Sequence, residues 1–160
     1  IITGGAGADV IAGGNGADTF VYSTATDSTA AAADVAITND ILSGFVTADD
    51  SIKVAIGSDI AAASDYATAT ITGSGTDTVA QTNGKVTTAL DTAFDGTVFA
   101  VLITEGGSAS TAYATAASGT VAGFIGVDID KNGDWDDGVD LLITVTGTLT
   151  GTISEADFIA

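Results

Sequence analysis

The chain has 160 residues, enough for one domain with its own core, and 46% of them are hydrophobic. Its net charge is −18: 21 acidic residues, all aspartate except Glu105 and Glu155, face only Lys53, Lys85 and Lys131. This balance argues against nucleic acid and anionic membrane surfaces as partners, and the lack of cysteine and histidine removes disulfides, thiolate or imidazole metal ligands, and His- or Cys-based catalysis.

No apolar run approaches ~18 residues, so no transmembrane helix is expected. The apolar residues are mostly Ala, Val and Ile, mixed with abundant Thr and 21 glycines. Small and β-branched side chains between glycines indicate strands joined by tight turns, and the expected fold class is all-β. Self-repulsion among so many aspartates opposes compaction unless counter-ions bind. Divalent cations answer that need.

Two consecutive nonapeptides open the chain: Gly4-Gly5-Ala6-Gly7-Ala8-Asp9-Val10-Ile11-Ala12 and Gly13-Gly14-Asn15-Gly16-Ala17-Asp18-Thr19-Phe20-Val21. Both fit G-G-x-G-x-D-x-U-x, with U a large apolar residue, the calcium-binding repeat of parallel β-helices. Glycines permit positive φ and let backbone carbonyls turn toward a shared ion. The aspartate closing each turn adds a hard carboxylate oxygen, and the following tripeptide forms a short strand with Ile11 or Phe20 pointing inward. Asp9, Asp18 and Asp27 are spaced by nine, so residues 22–27 read as a degenerate third turn. Successive turns on opposite sides would place Asp9 and Asp27 together and leave Asp18 to pair with something later or absent. The candidate ligands are Gly4, Ala6, Asp9, Gly13, Asn15, Asp18 and Asp27, and the cofactor is Ca2+. Ile1-Ile2-Thr3 matches the strand part of an upstream repeat, so the chain reads as a fragment with more repeats before it.

After the repeats come Asp18-Thr-Phe-Val-Tyr22, Asp27-Ser28-Thr29, Asp40-Ile41-Leu42-Ser43-Gly44-Phe45 and Asp50-Ser51-Ile52-Lys53-Val54. This run resembles the segment that follows the last repeat in serralysin-type C-terminal domains of RTX proteins, with D-T-F-V-Y, D-S-T, D-x-I-x-D-F and D-K-I-D-L. Gly44 stands where the family has Asp, and Lys53 is displaced by two. The resemblance implies a short parallel β-roll at residues 1–30, capped by an antiparallel, sandwich-like region over residues 31–160. Alternation of Ile41 and Phe45, then Ile52, Val54 and Ile56, suits two strands closing the end of that roll.

Further along, residues 67–72, 78–81 and 97–104 read as strands, with Asn83-Gly84 as a hairpin turn. Val86, Ala89, Leu90 and Phe94 fall on the spacing of one short helix, and residues 73–77 read as a turn. Strand-like runs at residues 121–127 and 141–145 flank an acidic loop. That loop opens as D-x-D-x-N-G, the first half of an EF-hand-like calcium loop, with Asp128, Asp130, Asn132 and Asp134. The twelfth position, normally a glutamate, is Val139, and Asp140, the thirteenth, is the last candidate ligand of the loop. It reads either as a calcium-binding connection between strands or as an exposed acidic turn, with Trp135 as a packing lid. At the end Ser154 is placed to cap a turn that docks Phe158 and Ile159. The terminus Asp157-Phe-Ile-Ala160 resembles the uncleaved export signal of type I secretion substrates.

Three functions compete. The first is a calcium-dependent secretion and folding module, extracellular, with the type I secretion machinery as partner. The second is a structural piece of a surface-layer or adhesin protein, with self-assembly or cell-surface polysaccharide as partner. The third is an enzyme, which the missing His, Cys and G-x-S-x-G elbow disfavour. The chain is read as non-catalytic, and a protease or lipase could lie upstream of it.

Overall fold

The computed structural model describes residues 1–29, 33–54, 60, 63–149 and 151–159. The apolar tripeptides after Asp9 and Asp18 form the first two strands, β1 (Val10–Ala12) and β2 (Thr19–Tyr22). They are followed by β3 (Asp40–Ser43), β4 (Ser51–Val54) and β5 (Tyr66–Gly73). Helix α1 (Val79–Ala93), β6 (Ala100–Gly107) and the short α2 (Thr111–Ala116) come next. The chain closes with β7 (Val121–Val127), β8 (Leu141–Thr146) and β9 (Phe158–Ile159).

These strands build two sheets. The larger has the order β1-β3-β8-β7-β6-β5 and the smaller β2-β4-β9. Consecutive strands β1 to β4 alternate between them, and so do β8 and β9. All pairings of the small sheet are parallel, and Ile2 adds a parallel bridge to Phe20. In the large sheet β1, β3 and β8 run parallel, β7 is antiparallel to both its neighbours, and β5 is parallel to β6. Residues before and after position 30 therefore share both sheets.

Alternation along the strands separates two cores. Ile11, Leu42, Leu102, Ile125, Ile143 and Val145 face the small sheet, where Phe20, Ile52 and Phe158 meet them. Ile41, Val101, Ile103, Phe124 and Leu142 face the other way, against Val86, Leu90 and Phe94 of the α1 segment. Strands covered on both faces carry near-continuous apolar runs, which is why residues 121–127 and 141–145 were legible as strands. Close approach of α1 requires Gly126, since a Cβ there would collide with Leu90.

Several expectations change. The fold is predominantly β and not all-β, and where an antiparallel cap was expected the large sheet is mixed and the small sheet wholly parallel. Residues 78–81 form no strand and Asn83-Gly84 no hairpin turn, because both lie at or within the N-terminal half of α1. Thr78 and Gln81 form a reciprocal capping box, Gln81 N donating to Thr78 Oγ1 (3.2 Å) and Thr78 N to Gln81 Oε1 (2.9 Å). Thr82, Asn83, Val86, Thr87 and Leu90 then lie buried along one helical face. At the end, Ser154 does cap a turn and Phe158 is buried, but Ile159 is 42% exposed. Ile56 and Ala160 lie outside the described residues.

Candidate metal centres

The two nonapeptides have one backbone conformation. Gly5, Gly7, Gly14 and Gly16 all take positive φ, from 88° to 110°, with nothing near the position of a Cβ. The first glycine of each turn serves differently. A Cβ on Gly4 would stand 3.0 Å from Asp40 Oδ2, 3.0 Å from Asp9 Oδ2 and 2.9 Å from Ile11 Cδ1. One on Gly13 would meet Asp18 Oδ2 at 2.8 Å and Phe20 Cζ at 3.0 Å. The leading glycine makes room for carboxylates, and the later ones turn the chain. Ala6 and Asn15 lie exposed between them.

Each repeat aspartate is tied to a later one. Asp9 N donates to Asp40 Oδ1 (2.8 Å), and Ile41 N to Asp9 O (2.8 Å). Asp18 N donates to Asp50 Oδ1 (3.0 Å), and Ser51 N to Asp18 O (2.8 Å). Asp18 therefore does have a later partner. The pairings follow from the registers Val10 on Ile41 and Thr19 on Ser51. Asp40 and Asp50 were not among the ligands expected from the sequence. Their signal is an aspartate directly before an x-U-x strand, as in the repeats but without glycines.

Asp27 ends a short 3-10 turn, Ala25–Asp27, and its carboxylate accepts from Ser23 N (2.7 Å), Thr24 N (3.2 Å) and Thr24 Oγ1 (2.9 Å). Burial opposes its ionisation, yet those three donors hold its pKa below the ordinary carboxylate value. Gly7 N donates to Thr26 O (3.3 Å), so the degenerate turn lies against the first one. Asp9, Asp27 and Asp40 all act electrostatically on Tyr22, whose hydroxyl is pushed far up, first by burial and then by those charges. Burial, with the charges of Asp9 and Asp27, likewise pushes Asp40 up to about 6. Tyr22 Oη and Asp40 Oδ2 are buried without a hydrogen-bond partner.

The acidic loop joins β7 to β8. One oxygen each from Asp128, Asp130 and Asp140 lie within 4.8 Å of one another, the only such trio among the described residues. Asp128 Oδ1 accepts from Lys131 N (2.6 Å) and Oδ2 from Gly133 N (2.9 Å). Asp140 Oδ1 accepts from Ile129 N (2.9 Å) and Oδ2 from Asp136 N (2.7 Å). Burial pushes Asp140 up to about 6 and raises Asp128, with Asp130 adding repulsion to both. The thirteenth position thus joins the carboxylates that open the loop. Asn132 and Asp134 stand outside the trio: the Asn132 amide donates to Asp136 Oδ2 (2.5 Å), and Asp134 is exposed, its N–H given to Asn132 Oδ1 (2.8 Å). Trp135 is 8% exposed and stacks on Phe94 at 6.4 Å, a packing residue.

Both centres offer hard oxygen donors alone, the ligand set of calcium and not of zinc or copper. The partnerless Asp40 Oδ2 and the space left by Gly4 fit a cation at the first turn. The family model described as Peptidase M10 serralysin C terminal matches residues 2–100, which include both glycine turns, Asp27, Asp40 and Asp50 but not the acidic loop. No curated protein matches the chain.

Proposed function

The chain belongs to the serralysin C-terminal family, and from that membership we propose that it is the calcium-binding C-terminal module of a secreted RTX-type protein, folding on extracellular calcium. One observation carries the proposal. Strand-initial aspartates stack in pairs, Asp9 on Asp40 and Asp18 on Asp50, in a chain whose net charge is already −18. Like charges in register oppose the strand pairing that brings them together. Bound calcium supplies the positive charge that reverses this opposition. The alternation of β1 to β4 between two sheets is then the stub of a parallel β-roll.

In a calcium-poor cytosol the aspartates repel and the turns stay open, which suits threading through a type I exporter. Outside, their oxygens converge and the strands pair. A ligand that binds only the folded state stabilises it by about 2.7 kcal/mol per site at 100 times Kd. In this reading the segment around Ser154–Phe158 carries the export signal, and the acidic loop adds a site through Asp128, Asp130 and Asp140. The chain contributes no catalytic group. Circular dichroism of metal-stripped protein, before and after millimolar calcium, tests the proposal. A gain in β signal and melting temperature is expected, and identical melting curves would refute it.

A second reading, a structural element of a surface layer, draws on β5. Among the described residues this strand ends the large sheet, and its exposed Thr68, Thr70 and Thr72 carry no charge. Open strand edges without charge or proline invite pairing with another chain. The adjoining groove of ≈ 690 Å³, between β5 and α1, is lined by no acidic residue. Calcium-triggered light scattering that Thr70→Lys abolishes would favour it, and a persistent monomer would count against it.

A further inference from the structure

We infer that Asp40 is a calcium ligand of the first glycine turn and that Asp50, its counterpart at the second turn, is not. The inference rests on the calcium reading above and assigns its chemistry to residues outside the nonapeptides. Asp40 and Asp50 hold equivalent places. Each stands where a strand begins, and each gives Oδ1 to the N–H of a repeat aspartate. Their second oxygens differ. Asp50 Oδ2 accepts from Val46 N at 3.0 Å, so that carboxylate is satisfied by backbone alone. Asp40 Oδ2 has no partner, although the residue has no exposed surface. An unsatisfied buried carboxylate oxygen is costly, and a native fold retains one where something else fills the need.

The surroundings identify what fills it. The missing Cβ of Gly4 lies 3.0 Å from both Asp40 Oδ2 and Asp9 Oδ2, so two carboxylate oxygens from different strands converge on the space that this glycine leaves. At Gly13 the three nearest atoms all belong to Asp18 and Phe20, so the second strand's aspartate does not share the closest approach there as Asp40 does at Gly4. Asp27 adds its charge from the third turn, and the charges of all three aspartates act on the buried, partnerless Tyr22 hydroxyl. The Lys85–Asp77 ion pair involves none of these residues. A hard divalent cation satisfies two or more converging carboxylates at once, whereas a single water satisfies oxygens without changing their charge.

Tyr22 makes the site observable. Terbium, an oxygen-seeking surrogate for calcium, should emit when tyrosine is excited, and calcium should displace it. Tyr22→Phe keeps every carboxylate, so it should retain the ion stoichiometry and lose most of the tyrosine-sensitised emission. Asp40→Asn keeps an oxygen for the Asp9 N–H and should bind one calcium fewer than wild type by titration calorimetry, whereas Asp50→Asn should bind as many. Undiminished stoichiometry in Asp40→Asn, or undiminished emission in Tyr22→Phe, overturns the inference and leaves the functional reading standing. A wild-type chain that binds no calcium overturns both.

Discussion

Gly4 and Gly5 are neighbours of one residue type with different physical reasons. Gly5 takes φ of +93° with open space around it, so Gly5→Ala should cost about 1–2 kcal/mol in backbone strain and leave the ion site intact. Gly4 has no such φ, but its Cβ would crowd Asp9 Oδ2 and Asp40 Oδ2. Gly4→Ala should therefore weaken calcium binding at the first turn by tenfold or more. Calorimetric titration of the two variants separates these outcomes, and equal affinities would remove the distinction. The repeat pattern exposed Asp9 and Asp18 in the sequence because three glycines at fixed offsets accompany each. Asp40 and Asp50 lack that company, and an aspartate shortly before an apolar residue is common. Only the strand register distinguishes them. The acidic loop was legible in part: Asp128, Asp130 and Asp140 were all candidate ligands and their oxygens lie together, whereas Asp134, on the same alternating spacing, is turned out to solvent.

At the scale of elements, strands were read correctly wherever both faces are covered. Residues 121–127 and 141–145 are apolar apart from Thr144, and their covering layers are the small sheet on one side and α1 on the other. Helix α1 was half missed for a local reason. Thr78-Val-Ala-Gln81 carries a capping box, but its β-branched residues and the Asn83-Gly84 pair imitate a strand and turn. Tertiary contact settles the matter, since the buried face of α1 lies on Val101, Ile103 and Phe124. Gly126→Ala tests that contact. The added methyl would push against Leu90 and should destabilise the fold by roughly 1–3 kcal/mol. Leu90→Ala in the same chain should recover part of the loss by chemical denaturation, and additive losses would show that the two do not touch.

For the molecule as a whole, charge decides under which conditions the fold stands. Asp40 and Asp140 both have carboxyl groups raised from 3.8 to about 6, chiefly by burial. The folded state thus holds their protons more tightly than the unfolded chain does. Without metal, the stability they contribute is complete below about pH 4 and lost as the pH rises through 6. Metal-stripped protein should melt at lower temperature at pH 7 than near pH 4.5, and Asp40→Asn with Asp140→Asn should flatten that slope. Calcium at pH 7 should restore the melting temperature, because the ion takes the place of the protons. A slope unchanged in the double variant would assign the effect to net charge alone. The nine-residue count, meanwhile, is broken between the third turn and β3, yet the ladder continues. Ser28 clasps that break: Asp40 N donates to its hydroxyl (2.7 Å), its hydroxyl donates to Leu142 O, and Leu142 N donates to its carbonyl (3.0 Å). With both ends of the interruption fastened at one serine, a single hydroxyl carries the strand register across the break.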